Sequence, residues 1–425
     1  MEIRYTRNEM IRSDRLRRNS INLELSQRWR WAFALLLVSL AVFAALTTRH
    51  KTLPGQATHD PPNLSATFLG PAQPVFDSRQ GCEDLDIPDQ PPRAFRDDQS
   101  HVHLIASHYV VRAMVGPTLD TVKHDCRVIY RSLEDPDPSH FQHRNWLTSF
   151  YGVQGRGIAV LVHSEYEADK VPGMCATPHD TNSCWWNTVT FASSEDNGYT
   201  FHVPEPPRNL VASLPYPYVI GNRASAYGYE SPTNILKVND FYYAMLNDWP
   251  FKAQQYGPCL IRTADVFDPG SWRAWNGSDF NVRFINPYEE ANARAEDHVC
   301  PPVLSGAADS LVRHEPTGYF IATQYTPDNR FGPPGFYLST SADLIHWSEA
   351  VLVAKTSELL AQEGPGNWYY AYFSLIDPAS SDRNFSTITS MPYVYYVRFE
   401  KNDPPYTRVL FRRQIKIEFP KAPPR

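Results

Sequence analysis

Long amphipathic helical stretches are missing from this chain: apolar residues do not recur at three- and four-residue spacing over several turns. A helical bundle is thereby excluded. None of the 6 cysteines forms a Cys-x-x-Cys pair, so a structural zinc site is not expected. Positive charge is scarce once the N-terminus is set aside. The net charge is −6 overall, but residues 1–30 carry eight arginines against four acids. The remainder therefore holds about −10, a surface that repels nucleic acid and anionic lipid headgroups.

What the chain does have is aromatic residues and proline: 24 Tyr, 22 Phe, 10 Trp and 37 Pro. Aromatic runs cut by turn residues read as many short strands, an all-β chain. A phrase returns at intervals of roughly seventy to eighty residues, about the length of one propeller blade and its connection. It consists of small polar residues, an acid and then an aromatic: SSEDNGYTF around Asp196, RTADVFDPGSW around Asp265 and STSADLIHW around Asp343. With weaker echoes at 116–122 and 409–419, the spacing predicts a five-bladed β-propeller over residues 89–420. Five β-rich runs, at 101–109, 158–166, 241–246, 318–323 and 393–399, are the expected second strands of the blades. The three recurring acids are expected to cap turns.

Ahead of that domain lie three segments. Residues 1–30 form a basic tail, and 31–48 form an uncharged apolar run of about 27 Å if helical, enough to span a bilayer core. Residues 49–88 read as a Pro-rich stalk. The positive-inside rule leaves the tail in the cytosol and the propeller on the extracytoplasmic side, anchored by the helix in the membrane. The alternative is a signal peptide that is cleaved, with secretion. An even cysteine count fits an oxidising compartment. Of fifteen pairings, Cys175 with Cys184 staples one loop, leaving Cys259 with Cys300 and Cys82 with Cys126 as the residual choice. Asn63, Asn276 and Asn384 begin N-x-Ser sequons.

Two carboxylates fall at equivalent places when the first and third blades are aligned on their first turns. Asp89, Pro91 and, five residues later, Arg96 match Glu230, Pro232 and Lys237. Both acids then open innermost strands at the propeller axis. A facing pair of carboxyl groups suits glycoside hydrolysis, one protonating the leaving oxygen and the other acting as base or nucleophile. Glu230, among Tyr227, Tyr229 and Pro232, is the expected acid.

On these residues the chain resembles the five-bladed propeller glycosidases of glycoside hydrolase families 43, 32, 62 and 68. Glu230-Ser231-Pro232 followed by Tyr242-Tyr243 looks like their third-blade Glu motif, and STSADLIHW looks like their repeated blade phrase. The resemblance implies a carbohydrate substrate and a third carboxylate opening the second blade. Here that stretch reads His143, Arg144, Asn145, Trp146, without an acid. Glu165, with His163 two residues earlier, is the expected substitute, because strand alternation returns both to the funnel mouth. Asp89, Glu230 and Glu165 are thus the candidate catalytic residues. His163, Asn145, Trp146, Tyr229, Asn234 and Arg93 are the candidates for binding substrate. No motif calls for a cofactor, and an axial calcium enters only by analogy.

Other readings stay open at this point. Glu230 is also what a loop acid before a Pro-containing strand looks like, and DIPDQPP around Asp89 also reads as a turn. The pair Trp185-Trp186, with Trp272 and Trp275, packs between sheets unless it stacks on sugars. Ser194-x-Asp196-x-Gly198-x-Thr200-Phe201 resembles a sialidase Asp-box, but it occurs once, and sialidases have six blades and an arginine cluster. The missing second-blade acid favours a propeller that binds a glycan or a protein without catalysis.

Overall fold

The computed structural model describes residues 63–177, 180–221, 225–363, 368–400 and 407–420. The basic tail and the apolar run lie outside the described residues. Among the described residues no helix is long and apolar enough to cross a membrane. The fold is all-β, with five main sheets following one another along the chain and a small two-stranded one, Val110–Val111 with Tyr130–Arg131.

Sheet 1 runs outward through Arg93–Arg96, Val102–Ile105, Met114–Gly116 and Lys123–His124. Sheet 2 holds Arg144–Val153, Gly157–Glu167, Trp185–Ser194 and Leu210–Ala212. Sheet 3 starts at Leu236–Val238 and continues through Phe241–Trp249, Cys259–Thr263, Arg273–Trp275 and Phe280–Arg283. Sheet 4 comprises Ser310–His314, Phe320–Thr326, Gly335–Ser341 and Val351–Lys355, with Thr387–Ile388 parallel to Ser310–His314. Sheet 5 comprises Trp368–Ile376, Tyr393–Glu400 and Arg408–Glu418. Each run expected to form a second strand contains one, although in 101–109 it covers only Val102–Ile105.

Five apolar cores show that the sheets close into a ring. One packs Phe95 and Ile105 of sheet 1 on Leu147 and Val160 of sheet 2. The next sets Leu161 and Phe191 against Ala244 and Ile261. Leu236 and Leu260 meet Leu311 and Phe320, and Val312 and Phe336 meet Phe373 and Tyr396. The last core returns from Tyr395 and Val397 of sheet 5 to Leu104 and Met114 of sheet 1. A central strand covered on both faces has no solvent side, which is why Gly157–Glu167 is buried almost throughout.

The fourth strand of sheet 5 comes from the other end of the chain. Ser65–Asp77 pairs antiparallel with Arg408–Glu418, from Ser65 opposite Glu418 to Asp77 opposite Val409. Within the expected stalk, Ser65–Asp77 is therefore a strand of the domain, not a linker. Its composition misleads because an outermost strand tolerates Gly70, Pro71 and Pro74 where register shifts interrupt the ladder. Leu64 and Phe76 are buried, and the rest alternates between exposed and half-buried positions.

The recurring acids cap the turns that follow third strands. Asp196 accepts from the Thr200 N–H at 2.9 Å, Asp265 from Phe267 at 3.0 Å, and Asp343 from Ile345 and His346 at 2.9 and 2.8 Å. Three disulfides join Cys82 to Cys126, Cys175 to Cys184 and Cys259 to Cys300. They fit an oxidising, extracytoplasmic environment.

A short strand, Tyr227–Glu230, fastens sheet 2 to sheet 3. It runs parallel to Trp185–Ser194 on one side and antiparallel to Phe241–Trp249 on the other. Gly228 makes the close approach, with φ 110° and the position of a Cβ only 2.0 Å from the Asn187 carbonyl oxygen. Gly228→Ala is expected to cost at least about 3 kcal/mol in urea unfolding, through backbone strain and the broken seam.

Candidate active site

Each acid reaches the axis by a different local device. Asp89 precedes the first strand of sheet 1, its N–H donating to the Ala106 carbonyl at 2.8 Å. Alternation along Gly157–Glu167 turns His163 and Glu165 to one face and Ser164 to the other, where its hydroxyl donates to the Phe141 carbonyl at 2.7 Å. Glu230 ends the fastening strand, and Ser231 beside it has φ 40°, a left-handed turn into Pro232.

Asp89, Glu165 and Glu230 line one cavity of about 160 Å³ with Trp146, His163, Trp185 and Tyr372. Sheets 1, 2 and 5 and the fastening strand all contribute. Tyr372 gets there through a bulge: the register of Trp368–Ile376 shifts between Ala371 and Ser374, and Tyr372 has φ 65°. A left-handed non-glycine residue carries conformational strain of the kind found at binding sites. Its hydroxyl donates to Asp89 at 3.1 Å.

Asp89 is the most heavily partnered of the three acids. Besides Tyr372, the Trp146 indole donates to it at 3.3 Å, His108 Nε2 lies 3.3 Å away, and the Arg408 guanidinium pairs with it. Burial holds His108 down at about 4, against the pull of Asp89, so at neutral pH the imidazole beside Asp89 is uncharged.

Glu230 is pushed up to about 7, chiefly by burial and further by Asp309, while a hydrogen bond from Trp249 opposes the shift. Glu165 is raised well above the usual carboxylate range by burial, then by the charges of Glu167, Asp89 and Glu230, with Arg144 opposing. His163 Nε2 donates to Asn187 Oδ1 at 3.2 Å, and its Nδ1 lies 3.6 Å from Glu165. Burial pushes it down to about 4, so at neutral pH it is uncharged.

Trp146 and His163 sit side by side across the strand pair and line the cavity, but four residues expected to bind substrate do not. Arg93 is engaged between sheets: its guanidinium donates to the Asp309 carbonyl at 2.6 Å, the Pro232 carbonyl at 3.3 Å and Ser374 Oγ at 2.7 Å. Asn145, buried and one residue out of phase with Trp146, donates to the Tyr130 hydroxyl at 3.0 Å instead. Tyr229, out of phase with Glu230, is buried against Phe284 and donates to Gln254. It is therefore not the neighbour that desolvates Glu230. Asn234 bridges sheets 3 and 4 through the backbone of Leu311.

Residues that sequence alone did not single out line the cavity, as Tyr372 does, or act on its acids from behind. Tyr372, His108 and Arg408 come from positions distant in the chain. Asp309, pushed up to about 7 mainly by burial, had a legible signal: it directly precedes the first strand of sheet 4, the kind of position held by Asp89. Asp248, raised to about 9 by burial and by Glu230, lies behind Glu230 and accepts from Gln254 at 3.0 Å. Of the aromatic pair, Trp185 lines the cavity and Trp186 is buried between sheets.

Among the described residues, the one grouping of His, Cys, Asp and Glu close enough to share a metal ion is Cys82, His124 and Cys126, where both sulfurs are joined in a disulfide. That grouping offers calcium no set of oxygen ligands.

The chain is similar in structure to five-bladed propeller glycoside hydrolases. A putative exo-β-1,3-galactanase from Bifidobacterium bifidum matches at 10% identity and TM-score 0.45, over 84% of this chain and 97% of its own. The catalytic domain of a Coprinopsis cinerea GH62 α-L-arabinofuranosidase matches at 12% and 0.42, over 83% and 97%. An endo-arabinase from Bacteroides thetaiotaomicron matches at 11% and 0.42, over 80% and 99%. No family model matches the sequence, and no curated protein does.

Proposed function

We propose that this five-bladed propeller is an extracytoplasmic glycoside hydrolase that cleaves a glycosidic bond with Glu230 as the proton donor. The observation that carries this reading is the meeting of Asp89, Glu165 and Glu230, from separate parts of the ring, in one cavity walled by Trp146 and Trp185. A carboxyl group with a value of about 7 is half protonated at neutral pH, the condition a general acid needs. Asp89, oriented by Tyr372 and Trp146, is the base or nucleophile, and Glu165, held in its neutral form by burial and by the neighbouring acids, is the third carboxyl of the site. The indoles offer faces on which a sugar ring stacks.

Turnover of at least one member of a panel of aryl glycosides is expected, with kcat/KM declining above pH 7 as Glu230 loses its proton. A flat profile through that range removes Glu230 from the role.

A second reading, a glycan-binding propeller without catalysis, is favoured by the ion pair between Asp89 and Arg408, which engages one oxygen of the expected base. It predicts no turnover on any substrate together with retention on a glycan array.

A further inference from the structure

The three sequons differ sharply in their surroundings. Asn384 is buried and both ends of its amide are used: Oδ1 accepts the Gly152 N–H at 2.6 Å and Nδ2 donates to the Gly152 carbonyl at 3.2 Å. This bond pair ties the sheet 5 loop to the first strand of sheet 2. A sugar on Nδ2 destroys it. Asn63 is exposed ahead of the N-terminal strand.

Asn276 stands at the turn between Arg273–Trp275 and Phe280–Arg283, the two outermost strands of sheet 3. It is exposed, as are Gly277, Ser278 and Asp279. Its Oδ1 accepts from the Ser278 N–H at 2.7 Å, the Ser278 hydroxyl at 2.9 Å and the Asp279 N–H at 2.8 Å. The oxygen is therefore held inward, and Nδ2 makes no hydrogen bond among the described residues. Gly277 has φ 102° and nothing within 4 Å of a Cβ position, so the turn is open on its outer side. Beside it lies a groove of about 600 Å³ lined by Asn276, Gln255, Asn281, Glu296, Asp297 and Pro301. Amide and carboxylate groups there can hydrogen-bond to sugar hydroxyls, and the volume falls in the range that accommodates a ligand of several rings.

We infer that Asn276 carries an N-linked glycan whose first sugars lie in this groove, and that Asn384 stays unmodified in the folded protein. In the transfer, Asn276 Nδ2 forms a bond to the anomeric carbon of a lipid-diphosphate-linked oligosaccharide. The sugar–phosphate bond breaks, the amide gives up one proton and the lipid diphosphate departs. The disulfides fit a secretory lumen, where that donor is found. This inference does not depend on the hydrolase reading.

The test is to express the full chain in a eukaryotic secretory host and treat the folded product with peptide N-glycosidase in heavy-oxygen water. Peptide mass mapping then reads which asparagines were occupied. The mark is expected on Asn276 and not on Asn384, and Asn276→Gln and Ser278→Ala should each lose one glycan on a gel. Trimming the glycan to a single sugar should leave Tm nearly unchanged, and complete removal should lower it by a few degrees. An unmarked Asn276 in folded, exported protein, or a marked Asn384, overturns the inference. Because the wild-type map is decisive alone, a variant that fails to fold leaves the test intact.

Discussion

Glu230→Gln is expected to lower hydrolysis by about a thousandfold, the middle of the range for removing a general acid, while leaving the fold in place. The amide is isosteric and still accepts the Trp249 hydrogen bond. What distinguishes this variant from a merely damaged protein is its stability. Glu230 holds its proton to about 7 in the folded state and to about 4.5 when unfolded, so the wild type loses stability as pH rises through that window. Gln has no proton to lose. Urea unfolding should therefore show the variant more stable than wild type at pH 8 by about 3 kcal/mol, and equal to it near pH 4. A variant that is inactive and also less stable at pH 8 would show that Glu230 holds the structure together and would remove the argument for its role as acid.

Deleting residues 63–77 is expected to leave a domain that aggregates or melts far below the parent. The strand supplies Leu64 and Phe76 to two of the inter-sheet cores, about 2 to 3 kcal/mol each, and its ladder satisfies the outer edge of Arg408–Glu418. Together these match the lower end of a domain's total stability. The loss also reaches the cavity, because the Arg408 N–H donates to Ser78 directly after the strand, and Arg408 pairs with Asp89. A synthetic peptide spanning 63–78 should restore Tm in part when added in excess. A truncated domain as stable as the parent would mean that the fifth sheet stands on three strands.

Much of the ring was legible because its second strands are continuous apolar and aromatic runs with turns on either side, a pattern that burial on both faces requires. The three cavity acids were legible for a related reason: a first strand starts at the axis whatever its sequence, and alternation then fixes Glu165. The same rule, carried one residue further, excludes Asn145 and Tyr229, which are out of phase with Trp146 and Glu230. Arg93 and Asn234 are in reach of the axis but turn into the seams between sheets, where buried carbonyls and amides need partners. Tyr372 depends on a bulge and Arg408 on a strand more than three hundred residues from Asp89, and neither leaves a local trace. The N-terminal strand was read as a stalk since an outer edge permits the prolines and polar residues that a linker also uses.

That pairing sets the order of events at the ribosome. Ser65 meets Glu418 across about 350 residues of chain, so the first strand made has no partner until the last has emerged. Through nearly the whole of synthesis the growing chain is an open arc, with a free strand at its start and unsatisfied apolar faces at both ends. Closure is the final step, and any stalled or shortened product is left exposed to aggregation and to quality control.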